Sequence, residues 1–206
     1  LVVTFYGADM SSVPKIPGWK EKYLELFEYA SLIIVEGPQM RERLIKIGAG
    51  REKVKVCRIG IPLDKIKFSI RPKYTSDTKL KILMCATFVE KKGFMEAFEA
   101  LSILRSKNFN FHCSIIGDGP QYDNYLERIS ELNLEGFVSF LGRKNTKEIY
   151  LISQDFHIFL HPSKVAKDGD TEGGAPTVII EMQALGLPVV ATKHADIPFI
   201  IPVNNQ

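Results

Sequence analysis

Short apolar runs rich in β-branched residues alternate along this chain with longer amphipathic segments. The runs are typical of buried strands, and the segments, whose apolar residues recur every three or four positions, are typical of helices. The predicted strands cover residues 1–5, 31–35, 53–59, 80–86, 109–116, 138–143, 156–160 and 189–192. The predicted helices cover residues 20–30, 38–47, 94–106, 121–132, 146–153 and 178–185. This alternation predicts an α/β fold with parallel sheets, because parallel strands need crossover connections.

The helix predicted over residues 20–30 has one apolar face. Tyr23, Leu24, Phe27 and Ala30 are expected on that face. We expect these side chains to pack into a core rather than to bind a ligand.

A polar stretch over residues 67–79, which contains Pro72 and Ser76, divides the chain. Such composition is typical of a linker between domains. The predicted domains are therefore residues 1–66 and 80–206. Because Leu1 opens the chain in the middle of a strand-like run without Met, we expect a piece of a longer protein.

Composition and charge exclude some classes of function. With 45% apolar and 25% charged residues the chain is typical of a globular protein, and its net charge of +3 is too small to indicate nucleic-acid binding. No apolar run approaches the roughly 20 residues of a membrane-spanning helix, and no signal peptide is visible. Cys57, Cys85 and Cys113 all fall in strand-like runs without CxxC spacing, so we expect buried, reduced thiols in a cytoplasmic protein.

The candidate ligand-binding stretch lies between the strand that ends near His161 and the helix that starts near Val178. Gly173, Gly174 and Ala175 have little or no side chain, so a ligand could approach their backbone closely. Their N–H groups precede a helix, where unpaired donors and the helix dipole favour an anion. This loop therefore predicts a phosphate or diphosphate site.

Two glutamates flank that loop. Glu172 and Glu181 would repel a phosphate, but a carboxylate accepts hydrogen bonds well from the hydroxyls of a ribose or a sugar. The alternative is purely structural, with Glu172 capping the helix and Glu181 lying on its solvated face.

The stretch from His161 to Pro198 resembles the C-terminal signature of family 4 glycosyltransferases, retaining enzymes of the GT-B fold, in the form found in members that build bacterial surface polysaccharides. Five further segments resemble the family in the same order. They are residues 4–11, 60–64, 87–93, 117–120 and 142–143. The resemblance implies two Rossmann-like parallel-sheet domains that face a cleft, both incomplete in this chain.

The resemblance also implies roles for individual residues. A nucleoside-diphosphate sugar would be the donor substrate, with its diphosphate bound by Lys92 and the Gly173 loop, its ribose by Glu181 and its sugar by the catalytic Glu172. The remaining positions expected to contact the donor are Gly117, Gly119, Gly142, Arg143, Pro176 and Thr177. Gly7 and Asp9 are expected on the acceptor side.

The chain departs from the family pattern at four points. Tyr6 stands where histidine is usual, Thr87 where arginine is usual, and Phe199 where an acid is usual. Glu172 and Glu181 are nine positions apart, one more than in the family pattern. The missing guanidinium at Thr87 removes a bidentate phosphate contact, which Lys92 can replace only as a point charge.

The function implied by the resemblance is transfer of a sugar, without a metal ion or resident cofactor, to a glycan or lipid-linked acceptor in polysaccharide biosynthesis. A lipid-linked acceptor would bring the protein to the inner face of the membrane. Asp168-Gly169-Asp170 has the spacing of a metal-binding pair but fits a loop of this subfamily. Two alternatives stay open, a GT-B sugar-nucleotide epimerase or phosphorylase-like enzyme, and a non-catalytic binding or scaffold domain.

Overall fold

The computed structural model describes residues 1–75 and 77–201. Ser76 of the predicted linker and the last five residues of the predicted second domain lie outside the described residues. The described residues form two compact units that are not continuous in sequence. The first unit comprises Leu1–Gly60, Ser163–Thr177 and the described part of Thr192–Gln206; the second comprises Ile61–Pro162 and Val178–Ala191.

The first unit contains a parallel sheet whose spatial order follows the chain. Its strands are β1 (Val2–Phe5), β2 (Leu32–Val35) and β3 (Val54–Val56), in the order β1-β2-β3. Its helices are α1 (Ala8–Ser11), α2 (Trp19–Tyr29) and α3 (Pro38–Ile47). Short 3-10 turns cover Val13–Lys15 and Ile197–Phe199.

The α2 region packs on the core of this unit through three of the four side chains predicted to lie there. Tyr23, Phe27 and Ala30 are buried, but Leu24 is 44% exposed, so its predicted place in the core is wrong. Leu26 is partly buried against the core instead. At 100° per residue Leu24 points about 100° away from Tyr23, whereas Leu26 lies about 60° to the other side and within the buried face.

The second unit contains a larger parallel sheet with crossover connections. Its strands are β4 (Leu80–Cys85), β5 (Phe111–Ile116), β6 (Val138–Gly142), β7 (Ile158–His161) and β8 (Val189–Ala191). Its helices are α4 (Phe94–Ser106), α5 (Tyr122–Glu131), α6 (Thr146–Ile152) and α7 (Thr177–Ala184). The first residue of α7 belongs to the first unit. The remaining 3-10 turns cover Leu63–Lys65, Glu90–Lys92 and Ser153–Asp155.

The order of the second sheet, β6-β5-β4-β7-β8, reverses direction between β4 and β7. The chain moves outward from β4 to β6 and then returns to the other side of β4. In open α/β sheets ligands bind outside the carboxyl ends of the strands at such a switch point. The fold therefore places the candidate site of this unit at the carboxyl ends of β4 and β7.

Aromatic side chains form the core beneath that edge. Phe88, which follows β4, is fully buried and contacts Phe94, Tyr125 and Phe140, with ring centroids 5.2, 5.4 and 5.6 Å away. The contacts with Phe94 and Phe140 are edge-to-face, an arrangement that stabilises beyond the area it buries. These contacts fix the loop after β4 to the core of the second unit.

The cysteines differ in burial. Cys113 in β5 is buried and Cys85 is half-buried, but Cys57 is exposed, so the expected burial is wrong for Cys57. Strand β3 ends at Val56, whose partner Val35 is the last residue of β2. Cys57 therefore follows the sheet rather than lying in it.

Among the described helices, none has the length and apolar character needed to cross a bilayer.

Candidate functional site

The first loop at the edge of the larger sheet is the turn after β5. Gly117 and Gly119 have φ of 148° and 154°. A Cβ on Gly117 would overlap the carbonyl oxygen of Ala86, and one on Gly119 would lie 2.8 Å from the nitrogen of Phe88. The N–H of Phe88 donates to the carbonyl of Asp118 at 2.8 Å. Both glycines let this turn pack against the segment after β4, and their contact with a donor stays a prediction.

Lys92 lies in the loop that follows β4, at the end of the 3-10 turn Glu90–Lys92. Gly93, with φ of 70°, is the N-cap of α4, and a Cβ there would overlap the carbonyl of Pro162 just after β7. The loop carrying Lys92 is therefore held between the carboxyl ends of β4 and β7, which is the switch point of the sheet.

Gly142 and Arg143 belong to the next loop along the same edge. Gly142 ends β6 with φ of 68°, and its carbonyl accepts a hydrogen bond from Gly117 at 3.1 Å. Arg143 is exposed. Together with Lys92, these predicted residues lie on loops at one edge of one sheet.

Glu181 lies on α7, and its carboxylate has a partner that the sequence did not predict. The hydroxyl of Tyr150 on α6 donates to Oε1 of Glu181 at 3.0 Å. Burial, and secondarily the charge of Glu181, raises the pKa of the Cys85 thiol to about 11. Because Cys85 is the last residue of β4, Glu181 lies near the carboxyl end of that strand.

The glycine-rich loop belongs to the first unit. Glu172 is 7% exposed, and its Oε1 accepts a hydrogen bond from the hydroxyl of Ser163 at 2.7 Å. Among the described residues, the N–H groups of Gly173, Gly174 and Ala175 donate to no protein group. Pro176 follows, and Thr177 begins α7.

The same loop packs against the first strand-end turn. A Cβ on Gly173 would overlap the carbonyl of Tyr6, and one on Gly174 would overlap the carboxylate of Glu36. The glycines therefore allow close packing of protein on protein on that side of the loop. The structure brings the predicted acceptor-side turn and the predicted diphosphate loop together within this unit.

Asp9 stabilises its own turn. Its Oδ1 accepts from the N–H of Gly7 at 2.6 Å and its Oδ2 from that of Tyr6 at 3.0 Å. The hydroxyl of Tyr23 donates to the Asp9 carbonyl at 2.8 Å. The acceptor-side role of Gly7 and Asp9 stays a prediction.

Glu36 is a candidate residue that sequence reasoning missed. Burial, followed by the charges of Asp196, Asp9 and Glu172, raises its pKa to about 7. Its place directly after β2, at the carboxyl end of a parallel strand, is the signal that could have indicated it.

Asp196, which precedes Ile197 and Pro198 in the C-terminal motif, caps α3. Its Oδ1 accepts from the N–H of Gln39 at 2.7 Å and its Oδ2 from that of Met40 at 3.1 Å. These N–H groups lie in the first turn of α3, where donors lack intrahelical partners. Phe199 is 46% exposed and, with α3, borders a depression of about 300 Å³ that contains none of the predicted site residues.

The Asp168-Gly169-Asp170 loop is tied to protein groups. Oδ1 of Asp168 accepts from the N–H of Asp170 at 2.8 Å, and Oδ1 of Asp170 accepts from the hydroxyl of Ser11 at 2.9 Å. Lys15 donates to the carbonyl of Gly169 at 2.5 Å. Within residues 1–75 and 77–201, no three His, Cys, Asp or Glu side chains are grouped to hold a metal ion.

These features define an α/β protein with parallel sheets whose candidate ligand-binding loops follow the strands. The sequence model of the family "Glycosyl transferases group 1" matches residues 66–202. The chain belongs to this family, and the predicted resemblance to glycosyltransferases is confirmed.

Relatives and solved structures agree with that assignment. Over its whole length the chain is 34% identical to the putative colanic acid biosynthesis glycosyltransferase WcaL of Escherichia coli K12, of which it covers 50%. It is 36% identical over 203 residues to the amylovoran biosynthesis glycosyltransferase AmsK of Erwinia amylovora, covering 98% of this chain and 49% of that protein. The crystal structure of Anabaena Alr3699/HepE in complex with UDP-glucose superimposes with a TM-score of 0.76 at 22% identity, over 98% of this chain and 56% of that one. The predicted GT-B-type α/β fold is thereby confirmed, and the chain spans about half the length of these curated relatives.

Proposed function

We propose that this chain is part of a retaining glycosyltransferase that moves a sugar from a nucleoside-diphosphate sugar to a glycan or lipid-linked acceptor in surface-polysaccharide biosynthesis. The family match over residues 66–202 carries the proposal, since it includes Lys92, Glu172 and Glu181. The two relatives are named as a putative colanic acid biosynthesis glycosyltransferase and an amylovoran biosynthesis glycosyltransferase, and these names support polysaccharide as the product.

A nucleoside diphosphate as the donor carrier is supported by two observations. The solved neighbour with the same fold holds UDP-glucose. In this chain, the switch point of the larger sheet carries a lysine on a strand-end loop, which suits a phosphate group.

The proposed reaction breaks the bond between the anomeric carbon of the sugar and the diphosphate, and forms a bond from that carbon to an acceptor oxygen. The diphosphate departs with the bonding electron pair, and the hydroxyl proton of the acceptor passes to an oxygen of the departing diphosphate. Lys92 neutralises this developing charge as a point cation. The N–H groups of Gly173, Gly174 and Ala175 act as preorganised donors, which stabilise charge without reorganisation during the reaction.

The carboxylates are assigned to the sugars. Glu172 accepts from hydroxyls of the donor sugar while Ser163 orients it through Oε1. Glu181 accepts from the ribose. Gly142 and Arg143 border the nucleobase, and Gly117, Gly119, Pro176 and Thr177 line the donor by backbone.

The proposed chemistry needs no metal ion and no resident cofactor, because lysine and backbone amides supply the charge compensation. The carboxylates of Asp168 and Asp170 already accept the N–H and hydroxyl donors that shape their loop. A lipid-linked acceptor would place the protein at the inner membrane face.

The first test measures turnover in the full-length protein with a panel of radiolabelled sugar nucleotides and a polysaccharide or lipid-linked acceptor. We expect Glu172→Gln to lower turnover by about 100-fold or more, the usual loss when a group that acts in the transition state is removed. Glu28→Gln, an exposed glutamate on α2, is the matched control and should be neutral. Wild-type turnover in Glu172→Gln would contradict the catalytic assignment.

The second test measures binding of the same nucleotides by calorimetry. Lys92→Ala should weaken binding of the nucleoside diphosphate by roughly 10-fold or more, because a charge-assisted hydrogen bond is lost. Lys107→Ala, at an exposed lysine after α4, serves as control.

The two tests also distinguish the alternative functions. In the turnover test, a labelled sugar that changes configuration without transfer would indicate an epimerase. In the binding test, wild-type protein that binds no sugar nucleotide would indicate a scaffold.

A further inference from the structure

The carboxylate of Glu181 is held by a second helix. The hydroxyl of Tyr150 on α6 donates to Oε1 of Glu181 on α7 at 3.0 Å, and Tyr150 is only 8% exposed. A bond to one oxygen fixes the direction of the carboxylate and leaves acceptor capacity on the other oxygen. Because a hydrogen bond to an ionised group is stronger than a neutral one, this contact can set the rotamer of Glu181.

Tyr150 keeps its proton at physiological pH. Burial and the bond to Glu181 raise its pKa to about 12. Its hydroxyl therefore acts as a donor at this position, which matches a carboxylate acceptor.

Helix α6 is itself fixed at its start. Asn145 accepts from the N–H of Glu148 at 3.0 Å, and the Glu148 carboxylate accepts from the N–H of Asn145 at 2.8 Å. This reciprocal pair is a capping box, which defines where the helix begins. The position of Tyr150 along α6 is thereby determined.

The ends of the two helical segments are tied to each other by one side chain. Arg71 donates to the carbonyl of Ser153, just after α6, at 2.7 Å and also to the carbonyl of Leu185, just after α7. The N–H of Ser69 donates to the same Leu185 carbonyl at 3.3 Å. A guanidinium can bridge two carbonyls because its donors are fixed in a planar fork.

The segment that carries Arg71 packs closely on the end of α7. Gly186 has φ of 85°, and a Cβ there would lie 2.7 Å from the ring of Phe68 and 2.7 Å from the carbonyl of Ser69. The N–H of Gly186 donates to the carbonyl of Gln183, and the N–H of Leu187 to the carbonyl of Met182, both at 2.9 Å. This is the pattern of a Schellman motif. Residues 68–71 thus cap both helical segments from one side.

We infer that Tyr150 is a positioning residue for Glu181, orienting its other oxygen toward the ribose hydroxyls of the donor, with Arg71 tying together the helical segments that carry the pair. This inference rests on the proposed function for the ribose contact. It assigns to Tyr150 an effect on recognition of the ribose, separate from recognition of the diphosphate.

The test compares ribonucleoside diphosphates with their 2′-deoxy and 3′-deoxy analogues, using UDP and GDP series and the full-length protein. Wild type should bind one ribonucleotide more tightly than its deoxy analogue. Tyr150→Phe should weaken binding of that ribonucleotide by roughly 3- to 10-fold, the equivalent of one hydrogen bond, and leave the deoxy analogue unchanged. Tyr29→Phe, at a tyrosine that is 69% exposed on α2, is the matched control.

A double-mutant cycle tests whether Tyr150 affects ribonucleotide affinity through Glu181. Tyr150→Phe should have little further effect on ribonucleotide affinity once Glu181→Gln is present, since residues that act through one contact are not additive. Equal weakening of ribo- and deoxynucleotides, full additivity with Glu181→Gln, or an unchanged ratio in Tyr150→Phe would overturn the inference. Failure of wild type to bind any nucleoside diphosphate would instead overturn the proposed function.

Discussion

Glu36 combines partial burial with three carboxylate neighbours in the first unit. The groups that face it are Asp196, Asp9 and Glu172, all acidic, and its pKa rises from 4.5 to about 7. Between these two values the folded chain binds a proton that the unfolded chain has released. The free energy of unfolding therefore falls as the pH rises from about 4.5 through 7.

Replacement of Glu36 by glutamine should remove that dependence. We expect Glu36→Gln to be more stable than wild type at pH 8, by about 1–2 kcal/mol after allowance for partial exposure, and nearly equal to it at pH 5. Urea unfolding at the two pH values measures the difference, with Glu28→Gln as the exposed control. A stabilisation of equal size at both pH values would contradict the assigned cause.

Single glycines show the limit of prediction at the residue scale. The sequence marks Gly173 and Gly174 as places of close approach, and the family resemblance implies that Gly117 and Gly119 contact the donor. Each of these four glycines has a neighbour within reach of a Cβ. That neighbour is protein in all four cases. A missing side chain signals that something comes near the backbone, but local sequence does not encode whether it is a ligand or a distant segment.

Helix α3 shows how an element can depend on a remote side chain. Its N-cap residue is Gly37, which offers no side-chain acceptor, and Asp196 supplies the acceptor from elsewhere in the chain. A Cβ on Gly37 would overlap the Asp196 carboxylate. Since the φ of Gly37 is −153°, an extended value open to any residue, the glycine is needed for space rather than for conformation.

Removal of that cap should destabilise the first unit. Asp196→Ala is expected to cost about 1–3 kcal/mol, the range for a lost cap with buried donors left unpaired. The cost should be larger at pH 5 than at pH 8, because at pH 8 the ionised Glu36 gains from losing a negative neighbour. Chemical unfolding at both pH values tests this, with Asp64→Ala at an exposed aspartate as control. Unchanged stability at pH 5 would rule out the capping role.

Helices were predicted more closely than strands for a physical reason. The bounds predicted for α3 and α4 match the structure, since apolar periodicity is punctuated by Pro38 and Gly48 in one case and by Gly93 in the other. Strand β3 was predicted over residues 53–59 but covers Val54–Val56. A strand ends where its partner ends, and the length of β2 cannot be seen in the sequence of β3.

At the scale of the whole molecule, the chain leaves and re-enters each compact unit. Segment Ser163–Thr177 and the described part of Thr192–Gln206 belong with residues 1–60, although both were predicted within the second domain. Ser11 contacts Asp170, and Gln39 contacts Asp196, across more than 150 positions. The local apolar periodicity predicted the α/β class and the strand-end loops. It carries no information about contacts between residues so far apart in the sequence.

A fragment of residues 1–60 should therefore fold poorly by itself. It retains three strands and a hydrophobic cluster but loses the α3 cap and the contacts of Ser11 and Lys15. A chain of about 60 residues buries a smaller fraction of its surface than a larger domain does, and it is marginally stable even when intact. We expect no cooperative thermal transition by circular dichroism, whereas the full chain should show one. A sharp transition for the isolated fragment would show that the returning segments are dispensable.

The crowding between Gly37 and Asp196 has an implication for how this protein family can change. A serine at position 37 could supply its own oxygen to the start of α3, but only if the carboxylate at position 196 were given up. The two positions should accordingly be exchanged as a pair, with glycine beside aspartate or serine beside a small residue. In relatives that carry the second combination, the residue at position 196 would no longer accept hydrogen bonds from the first turn of α3, a helix near the other end of the sequence.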